Sequence, residues 1–374
     1  MITLIAALAV LAFCISVPLT GAVRSMSRRL GALDTDAIAG QVKAAKRKVP
    51  NTGGVAIALS FLLPLVMLAV GIPVLMSAAW LPESWRQHLP GLLTRRPDLL
   101  WLLGSVAAIH LLGLVDDRRP LGPWVKLLFM LGLAAAVSYG TQTRTLTMLD
   151  GPAGGPWLSL VITTLWITVV TNALNFLDNS DGLAAGVGTI VAGCLLAAAL
   201  STGQWFVAAC LALLIGGMLG FLVFNFPPAS IFMGDSGSLV VGFVLAFLSI
   251  RVTYAQSGDV GTSLQLHAVL TPLVVLAVPI YDFLSVTVIR LRAGRSPFVG
   301  DLNHLSHRLL RRGLSPREML MAVYGFTAVT ALGGISLMHT TASGALTIGI
   351  QTVLLLAVIA LLEYTAGAPK EQPR

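Results

Sequence analysis

Charge is what this sequence has least of. Asp, Glu, Lys and Arg make up 11% of the 374 residues and hydrophobic residues 56%, where a soluble domain carries ~25% charged residues. A chain so poor in charge cannot clothe a globular surface for water, which excludes an ordinary soluble enzyme. It predicts an all-α, polytopic integral membrane bundle. Cysteine is scarce too. Cys14, Cys194 and Cys210 all fall inside apolar segments, so they read as packing residues and argue against a disulfide framework or a thiolate metal cluster. The first apolar segment lacks a basic leader and a small-residue cleavage pattern, and is expected to stay as a helix. The net charge of +8 is no nucleic-acid signal here; in a membrane chain positive charge reports topology first.

What is present is a series of apolar segments. With ~20 apolar residues for one crossing, the spans fall at about 2–20, 53–76, 99–115, 123–140, 157–176, 183–200, 205–224, 237–254, 267–290, 319–338 and 345–362. Eleven spans form one transmembrane domain over 1–374, with a short tail at 363–374. Placing the 22–52 loop inside puts 19 Lys and Arg residues inside and 5 outside. This asymmetry predicts N-terminus out, C-terminus and tail in the cytoplasm. It also gathers the unusual polar residues at the cytoplasmic ends of spans, where a carrier would instead bury its site near the midplane.

The densest of these polar stretches runs from Thr171 to Leu183 and holds Asn172, Asn175, Asp178, Asn179 and Asp181. Asn172, Asn175 and Asp178 recur every three residues, so a helix continuing from Trp157 shows them as one polar stripe. Unpaired carboxylates at the mouth of a membrane bundle are costly and usually functional. Asp116 and Asp117 end the third span; keeping both ionised requires a cation, supplied by Arg118, Arg119, Lys126 or a metal. In Asn225–Ser238, Pro227 and Pro228 break a helix and Gly234 and Gly237 flank Asp235. Asp235 then lies near the N-terminus of the eighth span, where the helix dipole favours its charge. Phe232 serves as core, or as a platform for an aromatic base.

Two further stretches carry charge. Lys43, Lys46, Arg47 and Lys48 precede Pro50-Asn51-Thr52-Gly53-Gly54. They form either a positive-inside anchor or, with Lys46 as its substrate-binding candidate, a basic rim that gathers a phosphorylated lipid or a nucleotide diphosphate. Asp282 sits inside the ninth span after Pro279, which suggests a kinked helix with a polar face turned into the bundle. The next loop runs Asp301-Leu302-Asn303-His304-Leu305-Ser306-His307-Arg308-Leu309. If it is helical, Asp301, His304, His307 and Arg308 share one face, which suits phosphate better than zinc.

Asp116-Asp117, Asn172–Gly182, Asn225–Ser238 and Asp301–Leu309, in this order and spacing, resemble the polyprenyl-phosphate N-acetylhexosamine-1-phosphate transferases. The last loop is closer to the Asp-x-x-His-x-His-His-Arg-Leu pattern of the GlcNAc-1-phosphate branch than to the pattern of the phospho-MurNAc-pentapeptide transferases. It departs at Ser306, where that branch usually has His; Lys43 and Met130 stand where His and Gln are common. The resemblance implies transfer of a sugar-1-phosphate, GlcNAc-1-phosphate first among them, from a UDP-sugar to undecaprenyl phosphate, with release of UMP. It implies a multi-pass protein of the inner (plasma) membrane with a cytoplasmic active site, Mg2+ or Mn2+ as cofactor, and a homodimer as one assembly.

By the same resemblance Asp235 and Asn175 are metal ligands, with Asp117 a third candidate, and Asp116 or Asp117 prepares the lipid phosphate. Asp181, Asn225 and Phe232 line a uridine pocket, while His304, His307 and Arg308 grip the diphosphate. Lys126, Asn172 and Asn179 complete the expected substrate contacts, and Asp178 the catalytic carboxylates. Phospho-MurNAc-pentapeptide transfer and, from another class, secondary transport are the alternatives.

Overall fold

The computed structural model describes residues 1–31, 49–77, 83–87, 89–252 and 266–364. Lys43, Lys46, Arg47 and Lys48, and the tail beyond Tyr364, lie outside the described residues. The long helices are α1 (Ile2–Arg29), α2 (Gly54–Ser77), α3 (Arg96–Arg118), α4 (Pro123–Gly140), α5 (Trp157–Leu177), α6 (Leu183–Ser201) and α7 (Trp205–Asn225). They are followed by α8 (Asp235–Arg251), α9 (Ala277–Arg292), the short α10 (Leu305–Arg311), α11 (Pro316–Ser336) and α12 (Ala342–Tyr364). The all-α membrane bundle is as expected. Among the described residues nine helices are long and apolar enough to cross a membrane, or ten if the bent pair His267–Val275 and Ala277–Arg292 is one span. The sequence predicts eleven; α8, its eighth, is only 17 residues long.

The bundle is built around α8. Fourteen consecutive residues, Ser236 to Ser249, are buried, as suits a helix apolar on every side. It packs on α5, α3 and α2, with α1 against α7 and α6 against α7 and α11. Inside lipid no hydrophobic drive pulls helices together, so close packing of small residues has to do it. Gly54 and Gly237 show this: a Cβ on Gly54 would lie 2.1 Å from the Gly237 nitrogen, so any side chain would push α2 off α8.

The bend before α9 has a local cause. Pro279 has no N–H to donate, and its ring clashes with the carbonyl four residues back, which is that of Val275. The chain breaks at Leu276, and the two helices meet at 66°. At the start of α11, Ser315 and Glu318 form a capping box ahead of Pro316, which fixes where that helix begins.

Candidate active site

One end of α8 collects the carboxylates. α3 runs antiparallel to α8, so its last turn brings Asp116 and Asp117 to the N-terminus of α8. Asp117 accepts the backbone N–H groups of Asp235 (2.8 Å) and Ser236 (3.1 Å). It caps α8 from another helix, satisfying donors that a helix cannot satisfy itself. Asp116 accepts the Leu121 N–H at 2.7 Å. Lys126, at the start of α4, donates to Asp116 at 2.9 Å and to Asp235 at 2.7 Å. Asn175 donates its amide to Asp235 at 3.0 Å and to Ser238 Oγ at 2.9 Å.

The turn that presents Asp235 needs glycine. Gly234 has φ +71°, and a Cβ there would lie 2.2 Å from Asn51 O and 2.7 Å from Asp117 Oδ2. Backbone pairing holds the turn: Phe232 N–H donates to Pro50 O, and Gly53 and Gly54 N–H groups donate to Phe232 O and Met233 O.

Asp178 follows α5 as its capping residue. Burial, then the charges of Asp235 and Asp117, push its carboxyl well above the ordinary range, against the pull of the Gly234 N–H. Asp116, Asp117, Asp178 and Asp235 therefore share one neighbourhood with a single ammonium bridging two of them.

The second half of the site comes from α9, α10 and the loop between them. Asp282, 0% exposed, accepts the Leu305 N–H at 2.6 Å and meets His304 Nδ1 at 2.9 Å. His304 thus precedes α10 in extended conformation and does not share a helical face with His307 and Arg308, as the spacing had suggested. Arg290 is likewise buried, donating to Pro297 O at 2.7 Å and Asp301 Oδ1 at 3.1 Å. Burial would raise the Asp301 carboxyl; hydrogen bonds from Arg290 and Asn303 hold it below the usual range. The half-buried His307 ring lies 6.4 Å from that of His304. Burial, then the charges of His304 and Arg311, bring its pKa down to about 4, so it is neutral near pH 7.

Several expected substrate contacts also have partners within the fold. Arg308, 5% exposed, donates to Ser285 Oγ at 2.7 Å and pairs with Glu363 at 3.2 Å. It ties α10 to α9 and α12. Asn225, 3% exposed, accepts the Gly182 N–H and donates to Ile231 O; it staples two loops. Asn172 donates to Thr168 O of its own helix and contacts Met130 Sδ at 3.8 Å. Asp181 accepts the Ala229 N–H at 2.8 Å. Asn179 accepts the hydroxyls of Ser180 and Ser306. Phe232 is half-buried in the turn before Asp235.

Phe176 is the residue that sequence reading missed. Its ring meets Phe283 at 5.2 Å and His304 edge-on at 5.7 Å, and it lies beneath the Arg290 guanidinium at 5.2 Å. Standing between Asn175 and Asp178, it joins the two halves of the site. An aromatic in an apolar helix carries no signal of that role.

Comparison with known proteins decides the family. The profile of glycosyl transferase family 4 matches residues 99–253, which run from α3 through α8 and include all four carboxylates. The decaprenyl-phosphate N-acetylglucosaminephosphotransferase of Mycobacterium tuberculosis (strain CDC 1551 / Oshkosh) is 33% identical over 336 residues, 85% of this chain and 78% of that protein. The chain belongs to glycosyl transferase family 4.

Other relatives agree with the branch read from the motifs. The probable undecaprenyl-phosphate N-acetylglucosaminyl 1-phosphate transferase of Bacillus subtilis (strain 168) is 35% identical over 237 residues, 62% of this chain. The match spans 64% of that protein's length. A phospho-N-acetylmuramoyl-pentapeptide-transferase of Moorella thermoacetica is 34% identical over a shorter stretch of 212 residues, 55% of this chain and 62% of its own length. The resemblance seen in the sequence thus holds, and the pentapeptide branch is the weaker match.

Proposed function

We propose that this protein transfers a sugar-1-phosphate, GlcNAc-1-phosphate foremost, from a UDP-sugar to a polyprenyl phosphate of undecaprenyl type, releasing UMP. A lipid phosphate oxygen attacks the β-phosphorus of the UDP-sugar, and the bond to the UMP oxygen breaks. The observation that carries this reading is the meeting of Asp116, Asp117, Asp178 and Asp235 at one end of the bundle, with Lys126 bridging Asp116 and Asp235. Placed at helix ends, this cluster suits a reaction at the membrane surface better than a midplane transport site. The excess of Lys and Arg on that side supports a cytoplasmic site in a plasma-membrane protein.

Four carboxylates against one ammonium leave a surplus of negative charge that a cation relieves, and the donors are all hard oxygens. Among the described residues no group of three His, Cys, Asp or Glu side chains is arranged to hold a metal ion. Mg2+ needs no such cage: it takes one or two carboxylates and completes its shell with waters and substrate phosphates. Asp235 and Asn175 are the residues we assign to it, with Asp178 beside them. Both Asp117 oxygens already cap α8, so Asp117, expected as a third ligand, serves the helix first. When bound, Mg2+ would neutralise diphosphate oxygens and the departing UMP.

Lys126, held in place by Asp116 and Asp235, offers a fixed positive charge to an incoming phosphate. Asp116 and Asp117 are the candidates to take the last proton of the lipid phosphate, and Asp116 is the one that adjoins Lys126. Neutral His307 can donate one N–H to a diphosphate oxygen. Positioning and electrostatics then supply most of the acceleration, and a single in-line displacement suffices.

The test is UMP release from purified protein given undecaprenyl phosphate, Mg2+ and a panel of UDP-sugars. Release that requires both lipid phosphate and one UDP-sugar supports the reading; none with any donor overturns it. A radiolabelled phospho-protein formed without lipid would replace the in-line displacement with a two-step route.

A further inference from the structure

Ser306 departs from the motif its neighbours follow, and its surroundings say why a small hydroxyl suits this chain. It is 1% exposed and donates to Asn179 Oδ1. The same oxygen accepts the Ser180 hydroxyl at 3.0 Å, while the Asn179 amide nitrogen donates to Phe176 O at 2.7 Å. A carboxamide oxygen has two lone pairs, and both are filled. Asn179 therefore has little left for a sugar or a uridine. It lies between Asp178 and Asp181, in the turn joining α5 to α6, whereas Ser306 lies beside His307.

We propose that Ser306 and Asn179 form a clasp that sets the distance between the His307 side of the site and the carboxylates. Both are positioning residues for the transfer reaction, not substrate contacts. The inference rests on the function proposed above. The other anchors of this loop hold it to α9 and α12: Asp282 on Leu305, Arg290 on Asp301, and Glu363 on Arg308. Those bonds fix the loop to its own side of the site. Ser306 reaches the other side, and the edge-on contact of Phe176 with His304 runs parallel to it. A polar bond and an aromatic contact, both from residues 176–179, thus close the gap between the two halves.

The test uses full-length protein in detergent: wild type, Ser306→Ala, Asn179→Ala and the double variant. Hydrogen exchange is read first. In Ser306→Ala, exchange in segments 176–183 and 301–309 should rise together, about fivefold to tenfold, the worth of one hydrogen bond, while the core of α8 stays as in wild type. The kcat/KM for UMP release should fall by a similar factor in each single variant and no further in the double, because partners in one bond do not add. Unchanged exchange in both segments overturns the clasp, as does a rise that spreads to α8 or a double variant whose losses simply add. If wild-type protein releases no UMP, the functional reading fails, yet the exchange data still decide whether the clasp exists.

Discussion

The two ends of α8 carry charges of the same kinds with opposite outcomes. At its C-terminus Arg251 donates to Asp98 at 2.7 Å and to Thr143 Oγ1 at 3.1 Å, and Arg95 closes on Asp98 at 3.3 Å. There the anion is matched within the protein, and nothing further is required to balance it. At its N-terminus four carboxylates meet, and one lysine bridges two of them. That end is stable only with protons taken up or a cation brought in. Both ends are joined by the same two helices, α3 and α8, so packing alone does not separate structure from function. Local charge balance does.

The comparison can be broken by moving charge at one end and then at the other. Asp235→Asn should reduce UMP release ~10²-fold or more, by removal of a charge aimed at the reacting groups, with the thermal midpoint nearly unchanged. Lys126→Gln comes next, with a loss of about tenfold or more expected from deletion of one charged hydrogen-bond donor; Lys126→Arg should recover part of it. An Asp98→Asn variant should behave in reverse. Its rate per folded molecule stays near wild type, while stability falls by about 1.5–3 kcal/mol as Arg251 loses a charged partner, readable as a lower thermal midpoint in detergent. Were Asp98→Asn to abolish activity in folded protein, the division between the two ends would be lost.

A subtler contrast is in pH. The His307 pKa is lowered to about 4, so its stabilising contribution is complete above the unfolded value of ~6.5 and disappears as pH falls through about 4. Asp178 is raised, so its contribution is complete below the unfolded carboxylate range and declines as pH climbs through the folded value. Thermal midpoints of His307→Gln should therefore fall less than wild type between pH 6.5 and 4. Those of Asp178→Asn should gain on wild type as pH rises. The smallest effect is expected of Asn172→Ala: its amide serves Thr168 O within α5, so activity should change less than about twofold, the worth of ~0.4 kcal/mol.

Much of the site was legible because its residues are improbable where they stand. Carboxylates at the ends of apolar spans are expensive, so Asp116, Asp117, Asp178 and Asp235 announce themselves, and Lys126 does so as their counter-charge. The lone proline in Pro279-Ile280-Tyr281-Asp282 foretold the bend before α9. Direction was harder to read. Helical spacing put Arg308 on a face with His304, but Asp282 captures the Leu305 N–H and starts α10 only after His304. The resemblance assigned Asn225 and Asn179 to ligand contacts, and in the fold each also bonds to neighbouring loops, partners that no sequence pattern reveals.

The sequence by itself determined that this is a membrane bundle, which family its motifs resemble, and which charged residues are costly where they stand. These follow from composition and from the high price of unpaired charge in lipid, neither of which depends on how the helices are arranged. Only the tertiary structure decided which polar groups come together and which hold the loops around them. A hydrogen bond is short and directional, so its partner is set by where distant segments meet, and residues as far apart as Asn179 and Ser306 meet only once the bundle has closed.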